Sequence, residues 1–269
     1  MTLPAPPVPV QPGQESKAGF ELPRKSADAI ARAEAILAAL YERYPDAHCE
    51  LDYRSPHELL VATILSAQAT DVAVNKATPA LFEAFPTPAA YAAATAAEIE
   101  PFVRSLGFFR NKALAVHTAM TRVADAYGGK VPRTMEELLT LRGVARKTAN
   151  VVLSNAFGIN VGVVVDTHVM RLAKRFGLSR HADPARIERD LMALLPRPHW
   201  GMASHLLIWH GRRVCKARGG TCGSDPICQR FCSNAKAAPK KQPASRAGRA
   251  RKAAATRGSA ASSRRRARP

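Results

Sequence analysis

The part of this chain whose residue types best suit chemistry is the stretch LRGVARKTANVVL at residues 141–153. Its glycine-containing run at residues 143–145 is too short to continue the helix that the pattern at residues 134–141 predicts. We therefore expect the chain to turn at Gly143 and to begin a second helix near Arg146. Unpaired N–H groups at such a turn and helix start attract phosphate, so two helices joined in this way can hold a nucleic-acid backbone.

Lys147 is the candidate nucleophile of this segment. It falls in the first turn of the second helix, where the positive end of the helix dipole disfavours an ammonium and favours the neutral amine. A neutral amine can attack a carbon atom and form a covalent intermediate. The alternative role for Lys147 is that of a phosphate-binding or solvated lysine.

Asp166 is the candidate acid, nineteen residues after Lys147 in the stretch VDTH. A carboxylate near a developing positive charge lowers the barrier to its formation. Asp166 followed by Thr167 is also an ordinary N-cap pattern, so a structural role stays open beside the chemical one. His168 is interpreted as a packed or hydrogen-bonded side chain rather than a base.

These segments resemble the helix-hairpin-helix and the aspartate segment of the endonuclease III family of DNA glycosylases. The stretch LSAQATD at residues 65–71 resembles that family's DNA-wedge segment, and the resemblance covers residues 26–234. It implies a base-excision repair glycosylase with AP lyase activity, in which Lys147 forms a Schiff base, oxidised pyrimidines are removed from duplex DNA and the strand is cleaved by β-elimination. Asp166 would stabilise the sugar cation and help to position the amine.

The hairpin departs from the family at two positions. Arg142 stands where the family usually has proline, and Ala145 stands where it usually has the second glycine. If position 145 needs a positive φ, alanine there is strained by roughly 1 kcal/mol relative to glycine.

The resemblance also implies a set of residues that contact damaged double-stranded DNA. Gln68 would fill the gap that the damaged nucleotide leaves in the duplex, which offsets part of the energy of extrusion. Phe108 is the second candidate wedge, at a position where the family usually has an aliphatic side chain; core packing is the alternative. The remaining candidate contacts are Asp71, Arg110, Lys112, Gly143, Ala145, Arg146 and His168.

Four of the five cysteines lie within residues 215–232, with the spacing C-x6-C-x5-C-x3-C. In a chain without an export signal, such a group favours a metal site over disulfides, and four thiolates suit a [4Fe–4S] cluster or a zinc ion. The family instead has C-x6-C-x2-C-x5-C, so Cys215 and Cys222 match and Asp225 stands at the third position.

Three arrangements of this loop are open. Cys228 supplies the third thiolate and Cys232 the fourth, Asp225 ligates iron directly with Cys228 left over, or the loop holds no cluster. We expect a [4Fe–4S] cluster on four cysteines, because thiolate is the softer ligand and all four are local.

The formal net charge of +19 over 269 residues points to a polyanionic partner. Residues 236–268 hold twelve Lys and Arg and no acid, so this basic tail is expected to add non-specific DNA contacts. No apolar run approaches the ~18 residues of a membrane span, and no basic segment precedes an apolar one at the N-terminus. We expect a monomeric, cytoplasmic, nucleoid-associated protein that does not bind a membrane.

Helical spacing of apolar residues and repeated N-cap patterns predict an all-α fold. Only residues 161–165 look strand-like, and they suit a buried extended linker equally well. The resemblance implies two helical lobes, residues 51–165 with the hairpin and residues 26–50 plus 166–234 with the cysteines, and a DNA site in the cleft between them. Composition predicts a disordered leader at residues 1–25 and a disordered basic tail at residues 235–269.

Two rival functions remain at this point. A monofunctional adenine or mismatch glycosylase of the same superfamily usually lacks the lysine that this chain has at position 147. A non-catalytic helix-hairpin-helix protein that binds DNA would explain the basic tail and the altered hairpin.

Overall fold

A computed structural model describes residues 3–4 and 21–236, and within them the chain folds into helices with no β-strand. The all-α prediction is confirmed. Most of the predicted leader and tail lies outside the described residues. The helices are α1 (Ala27–Arg43), α2 (Pro56–Leu65), α3 (Asp71–Ala84), α4 (Pro88–Ala93), α5 (Ala96–Val103), α6 (Phe109–Tyr127), α7 (Met135–Leu138), α8 (Arg146–Phe157), α9 (Thr167–Arg175), α10 (Pro184–Leu194), α11 (Trp200–Arg213), α12 (Pro226–Phe231) and α13 (Ser233–Lys236), with a 3₁₀ turn at Arg197–His199.

Most helices begin at the caps that the sequence indicates. The Ser26 hydroxyl accepts the N–H of Ala29 at the start of α1, and a complete capping box with Glu98 starts α5. At α2 the expected box is incomplete: Ser55 accepts from Glu58, but the Glu58 carboxylate accepts the N–H of Arg54, 2.6 Å away, instead of the N–H of Ser55. An ion pair with the same arginine holds the Glu58 carboxylate there.

Three elements differ from the predictions. Helix α7 has only four residues, because the N–H groups of Thr140 and Leu141 bond three residues back and tighten the chain into a turn. Helix α4 was not predicted; Thr87 caps it, and its buried Tyr91 stacks on Phe85. The cysteine loop contains the short helix α12 rather than loop alone.

Buried apolar side chains form two clusters. One draws on residues 51–161, and the other on residues 33–47 and 163–232. Helices α8 and α11 pack together and so join the clusters. This division supports the two lobes expected from the sequence, whose boundaries stay a prediction.

The run at residues 161–165 is a buried extended linker between α8 and α9, without strand pairing. It connects the two clusters and ends directly before Asp166. Among the described helices, none combines the length and the apolar character that a membrane crossing requires.

Candidate active site

One glycine, Gly143, forms the turn of the hairpin between α7 and α8. Gly143 has φ +80°, whereas Ala145 has φ −97° and ψ 170°, an extended conformation that any residue adopts. Alanine at position 145 is therefore unstrained. A Cβ atom on Gly143 would lie 3.2 Å from the Cβ of Ala115 and 3.3 Å from Cγ2 of Ile64, so the turn also packs closely on the helices beneath it.

Lys147 and Asp166 line the same cavity. Lys147 is exposed in the first turn of α8, as the sequence predicts, and Asp166 stands at the start of α9. The cavity encloses about 100 Å³ between these helix starts, one face of α11 and the segment before α2. Its other polar lining residues are His48, Cys49, Glu50, Thr63, Ser66, Asp71, Ser204, His205, Trp209 and Arg212.

Asp166 is an N-cap that also faces the cavity. Its Oδ1 accepts the backbone N–H groups of His168 and Val169, both at 2.8 Å. Because one oxygen serves the cap, Oδ2 is the oxygen available to a positive charge in the cavity. Capping and a chemical role are thus compatible in one carboxylate.

His168 is half-buried and hydrogen-bonded, in agreement with its interpretation as a packed residue. Its Nδ1 lies 3.1 Å from a guanidinium nitrogen of Arg171. Burial is the main cause that lowers the pKa of His168, which favours the neutral ring.

An ion-pair network that sequence patterns did not reveal crosses the cavity. Arg212 of α11 pairs with Asp71 at 2.7 Å and with Glu50, and Arg213 pairs with Glu50 at 3.1 Å. Asp71, a candidate DNA contact, therefore has a cationic partner within the protein. The pairing joins residues more than a hundred positions apart, and no local motif marks Glu50 or Arg212 as members of a site.

Two other ionisable groups of the cavity stay neutral near pH 7. Burial, with smaller effects from His48 and Arg212, lowers the pKa of His205 to about 4. Burial raises the pKa of the Cys49 thiol to about 11. Neither group therefore adds a charge to the cavity at that pH.

The two candidate wedges share an unusual backbone. Gln68 has φ +54° and Phe108 has φ +59°, the only non-glycine residues in the left-handed region within the described chain. Both are exposed, Phe108 at 66%. Exposure excludes core packing for Phe108, whereas the neighbouring Phe109 packs against the first apolar cluster.

The three basic side chains that are candidate DNA contacts differ in exposure and in their partners within the protein. Arg110 is exposed, lies over the ring of Phe109 and approaches Glu100 at 3.8 Å. Lys112 is only 5% exposed, and burial lowers the pKa of its amine, so it does not face a surface where phosphate binds. Arg146 forms an ion pair with Glu188 through Nε at 2.9 Å.

We expect Phe108→Gly to reduce activity without loss of stability. Glycine removes the aromatic wedge but suits the left-handed backbone, which costs a phenylalanine about 1 kcal/mol. Single-turnover base release should slow by about tenfold, since extrusion costs a few kcal/mol, while the melting temperature stays equal or rises. A variant that melts lower would show that Phe108 is held by packing. Phe109→Leu, which keeps an apolar side chain in the core, is the control.

The four clustered cysteines meet in one buried group. Their Sγ atoms lie within 4.8 Å of one another, and all four residues are buried. The Asp225 carboxylate lies outside this group and forms a second possible ligand set with His210 and Cys228, while its Oδ1 accepts the N–H of Cys228 at 2.9 Å and caps α12. A buried four-thiolate set is a ligand set for an iron–sulfur cluster or a zinc ion, so these residues could bind a metal cluster.

Polar groups surround the cysteines. The guanidinium of Arg175 donates to Cys215 Sγ at 3.1 Å, and Nε2 of His210 lies 3.2 Å from Cys228 Sγ. Tyr44 bonds the other ring nitrogen of His210 at 2.9 Å. Such contacts orient ligands, as the outer shell of metal sites commonly does.

This helical fold, with its hairpin lysine and capping aspartate, is that of the HhH-GPD superfamily of base excision DNA repair proteins, which matches residues 61–197. The chain is 54% identical over 214 residues to endonuclease III of Synechocystis sp., covering 80% of this chain and 97% of the relative. It is 41% identical over 199 residues to endonuclease III of Bacillus subtilis, covering 74% of this chain and 90% of that protein.

A solved structure of a trapped endonuclease III–DNA covalent intermediate, in an estranged-adenine complex, has a TM-score of 0.73 and 43% identity, covering 77% of this chain and 97% of that one. A non-covalent endonuclease III–DNA complex matches equally well, with a TM-score of 0.73 and 43% identity over 77% of this chain and 96% of that one. The chain therefore belongs to the endonuclease III family, the bifunctional DNA glycosylases and AP lyases of base excision repair.

Proposed function

We propose that this enzyme removes oxidised pyrimidines from duplex DNA, with Lys147 as nucleophile and Asp166 as the carboxylate that stabilises the sugar cation. The observation that carries the proposal is the cavity that both residues line. An exposed amine at a helix start and a carboxylate with one oxygen outside its cap are the two groups that the reaction needs.

The neutral amine of Lys147 attacks C1′ of the extruded nucleotide, and the base leaves with the electrons of the glycosidic bond and takes up a proton. One proton passes from this nitrogen to O4′ as the C1′–O4′ bond opens, which gives a protonated Schiff base and a free O4′ hydroxyl. Loss of a C2′ proton then breaks the C3′–O3′ bond and expels the 3′ phosphate. Water hydrolyses the Schiff base and frees the lysine.

The DNA surface consists of three neighbouring turns. Gln68 and Phe108 enter the duplex, the backbone at Gly143 and Ala145 binds phosphate, and Arg110, two residues after Phe108, adds a positive charge. Arg212 holds Asp71 at the edge of this surface. We propose that the enzyme acts as a monomer at the nucleoid, where its substrate lies.

We propose that Cys215, Cys222, Cys228 and Cys232 hold a [4Fe–4S] cluster. The burial and mutual proximity of four thiol sulfurs support this set, whereas the Asp225 carboxylate lies close to Cys228 and His210 only. When bound, the cluster fixes the shape of the loop. Lys216 and Arg218 are exposed on that loop and add positive charge to the surface.

The test is a panel of duplexes with oxidised pyrimidines, an adenine mismatch or an abasic site, incubated with chelator and with borohydride. We expect strand cleavage at oxidised pyrimidines and abasic sites, and a covalent adduct. Base release from the mismatch without cleavage or adduct would indicate the monofunctional rival. DNA binding without cleavage of any strand would indicate the non-catalytic helix-hairpin-helix protein.

The basic tail is predicted to supply salt-sensitive affinity. Removing residues 237–269 should weaken binding to undamaged duplex and flatten its salt dependence, because each neutralised phosphate releases counterions. Single-turnover cleavage at saturating enzyme should stay unchanged. Titrations at several salt concentrations measure both effects, and an unchanged slope would contradict the role of the tail.

A further inference from the structure

Glu188 is a buried carboxylate beside the nucleophile's helix. It lies on α10, next to Ile187 of the second apolar cluster, and is 6% exposed. Nε of Arg146, the residue directly before Lys147, donates to both of its oxygens at 2.9 and 3.1 Å. Asn150, one turn further along α8, donates to Oε1 at 2.9 Å. Two residues of the first turns of α8 are thus tied to one side chain of another helix.

The same carboxylate packs against the linker that leads to Asp166. A Cβ on Gly162 would lie 2.1 Å from Oε1 of Glu188 and 2.6 Å from Nδ2 of Asn150, so the linker backbone passes directly over this pair. Glu188 therefore contacts the helix of Lys147 and the segment that places Asp166. The N-terminus of α8 has no side-chain cap of its own, since its N-cap is Ala145.

We propose that Glu188 is a positioning residue, which acts through Arg146 and Asn150 to hold Lys147 at its working distance from Asp166. This inference rests on the proposed function of Lys147. It assigns Arg146 a role as an ion-pair partner within the protein, in place of the DNA contact expected from the sequence. Misplacement of a reacting group by 1 Å can slow a reaction by about a hundredfold, so a loosened α8 should slow chemistry more than binding.

Helix α10 offers a matched control. Asp190 lies two residues beyond Glu188, is 5% exposed and also carries an ion pair, in its case with Lys25. It bonds Ser179 rather than any residue of α8. Asp190→Asn should therefore remove a comparable buried pair without releasing the nucleophile's helix.

The experiment compares Glu188→Gln, Arg146→Gln, their double variant and Asp190→Asn, well below their melting temperatures. For each variant we would measure the single-turnover rate of borohydride trapping. We would also measure the affinity for a duplex with a tetrahydrofuran abasic analogue. We expect Glu188→Gln and Arg146→Gln to form the trapped adduct at least about tenfold more slowly than the wild type, because Lys147 is misplaced. Their affinity for the tetrahydrofuran duplex should stay within about twofold of the wild-type affinity. The double variant should be no slower than either single, because the residues act as one pair. Asp190→Asn should trap like the wild type.

Trapping by Glu188→Gln at the wild-type rate would overturn the inference. A second result would also overturn it: the rate losses of Arg146→Gln and Glu188→Gln multiply in the double variant, and Arg146→Gln binds DNA more weakly with a smaller dependence of affinity on salt. Arg146 would then act on phosphate. If Glu188→Gln does not fold, the trapping rate of Arg146→Gln alone tests the inference. Arg146→Gln should fold, because the Arg146 side chain is 35% exposed. A wild-type protein that forms no adduct would reject the proposed function itself, which is a distinct result.

Discussion

Lys147→Gln should form no covalent adduct with borohydride and should release oxidised pyrimidines about 10⁴-fold more slowly, as expected when a nucleophile is removed. Glutamine is polar and only one atom shorter than lysine, but it has no nucleophilic amine. Because Lys147 is exposed at the cavity, the fold should tolerate the change. Single-turnover kinetics on a thymine-glycol duplex and gel analysis of trapped adducts measure the effect.

The control for this variant is Lys130→Gln, at an exposed lysine in the turn after α6 and outside the cavity. It should trap at the wild-type rate. Affinity of Lys147→Gln for the tetrahydrofuran duplex should remain within about threefold of wild type, since the turns that hold DNA are unchanged. An adduct that persists in Lys147→Gln would show that another amine is the nucleophile.

The second large effect is expected at Cys228. Cys228→Ser should lose bound iron and its visible absorption, and the cysteine loop should unfold at a much lower temperature, because metal binding contributes directly to folding. Asp225→Ala should keep its iron and lose only about 1 kcal/mol of stability, the usual contribution of an N-cap. Iron and zinc analysis, absorption spectra and thermal melts of the two variants measure this difference.

The result that contradicts this assignment is specific. If Asp225→Ala loses the absorption band and Cys228→Ser keeps it, the Asp225 carboxylate is the third ligand and Cys228 does not bind the metal. Zinc in place of iron in the wild type would keep the four cysteines as ligands but replace the proposed cluster.

Local patterns were sufficient to predict most of the helices. Ser26 and Thr95 carry hydroxyls at positions where a following helix leaves N–H groups unpaired, and this chemistry is visible in sequence. The same holds for the start of α8, because a glycine turn ends one helix before the next begins. The family resemblance added the pairing of Lys147 with Asp166, which no helical periodicity contains.

Long-range contacts were not predictable from the sequence. The pairing of Arg212 with Glu50 and of Arg146 with Glu188 joins distant segments, and nothing near either residue indicates its partner. Lys112 shows the same limit, since it is a candidate DNA contact in the sequence, whereas the fold buries its amine. The altered cysteine spacing leaves the third ligand open in the sequence, and the fold adds that Cys228 Sγ lies within 4.8 Å of the other three sulfurs.

The close packing of Gly143 has a further consequence. The atoms that a side chain there would crowd belong to Ile64, four residues before Gln68, and to Ala115, seven residues after Phe108. The hairpin thus packs against the two helices next to the proposed wedges, Gln68 and Phe108. A duplex that meets this enzyme encounters a surface already assembled, so little ordering entropy opposes binding and the energy of the contacts remains available to open the double helix.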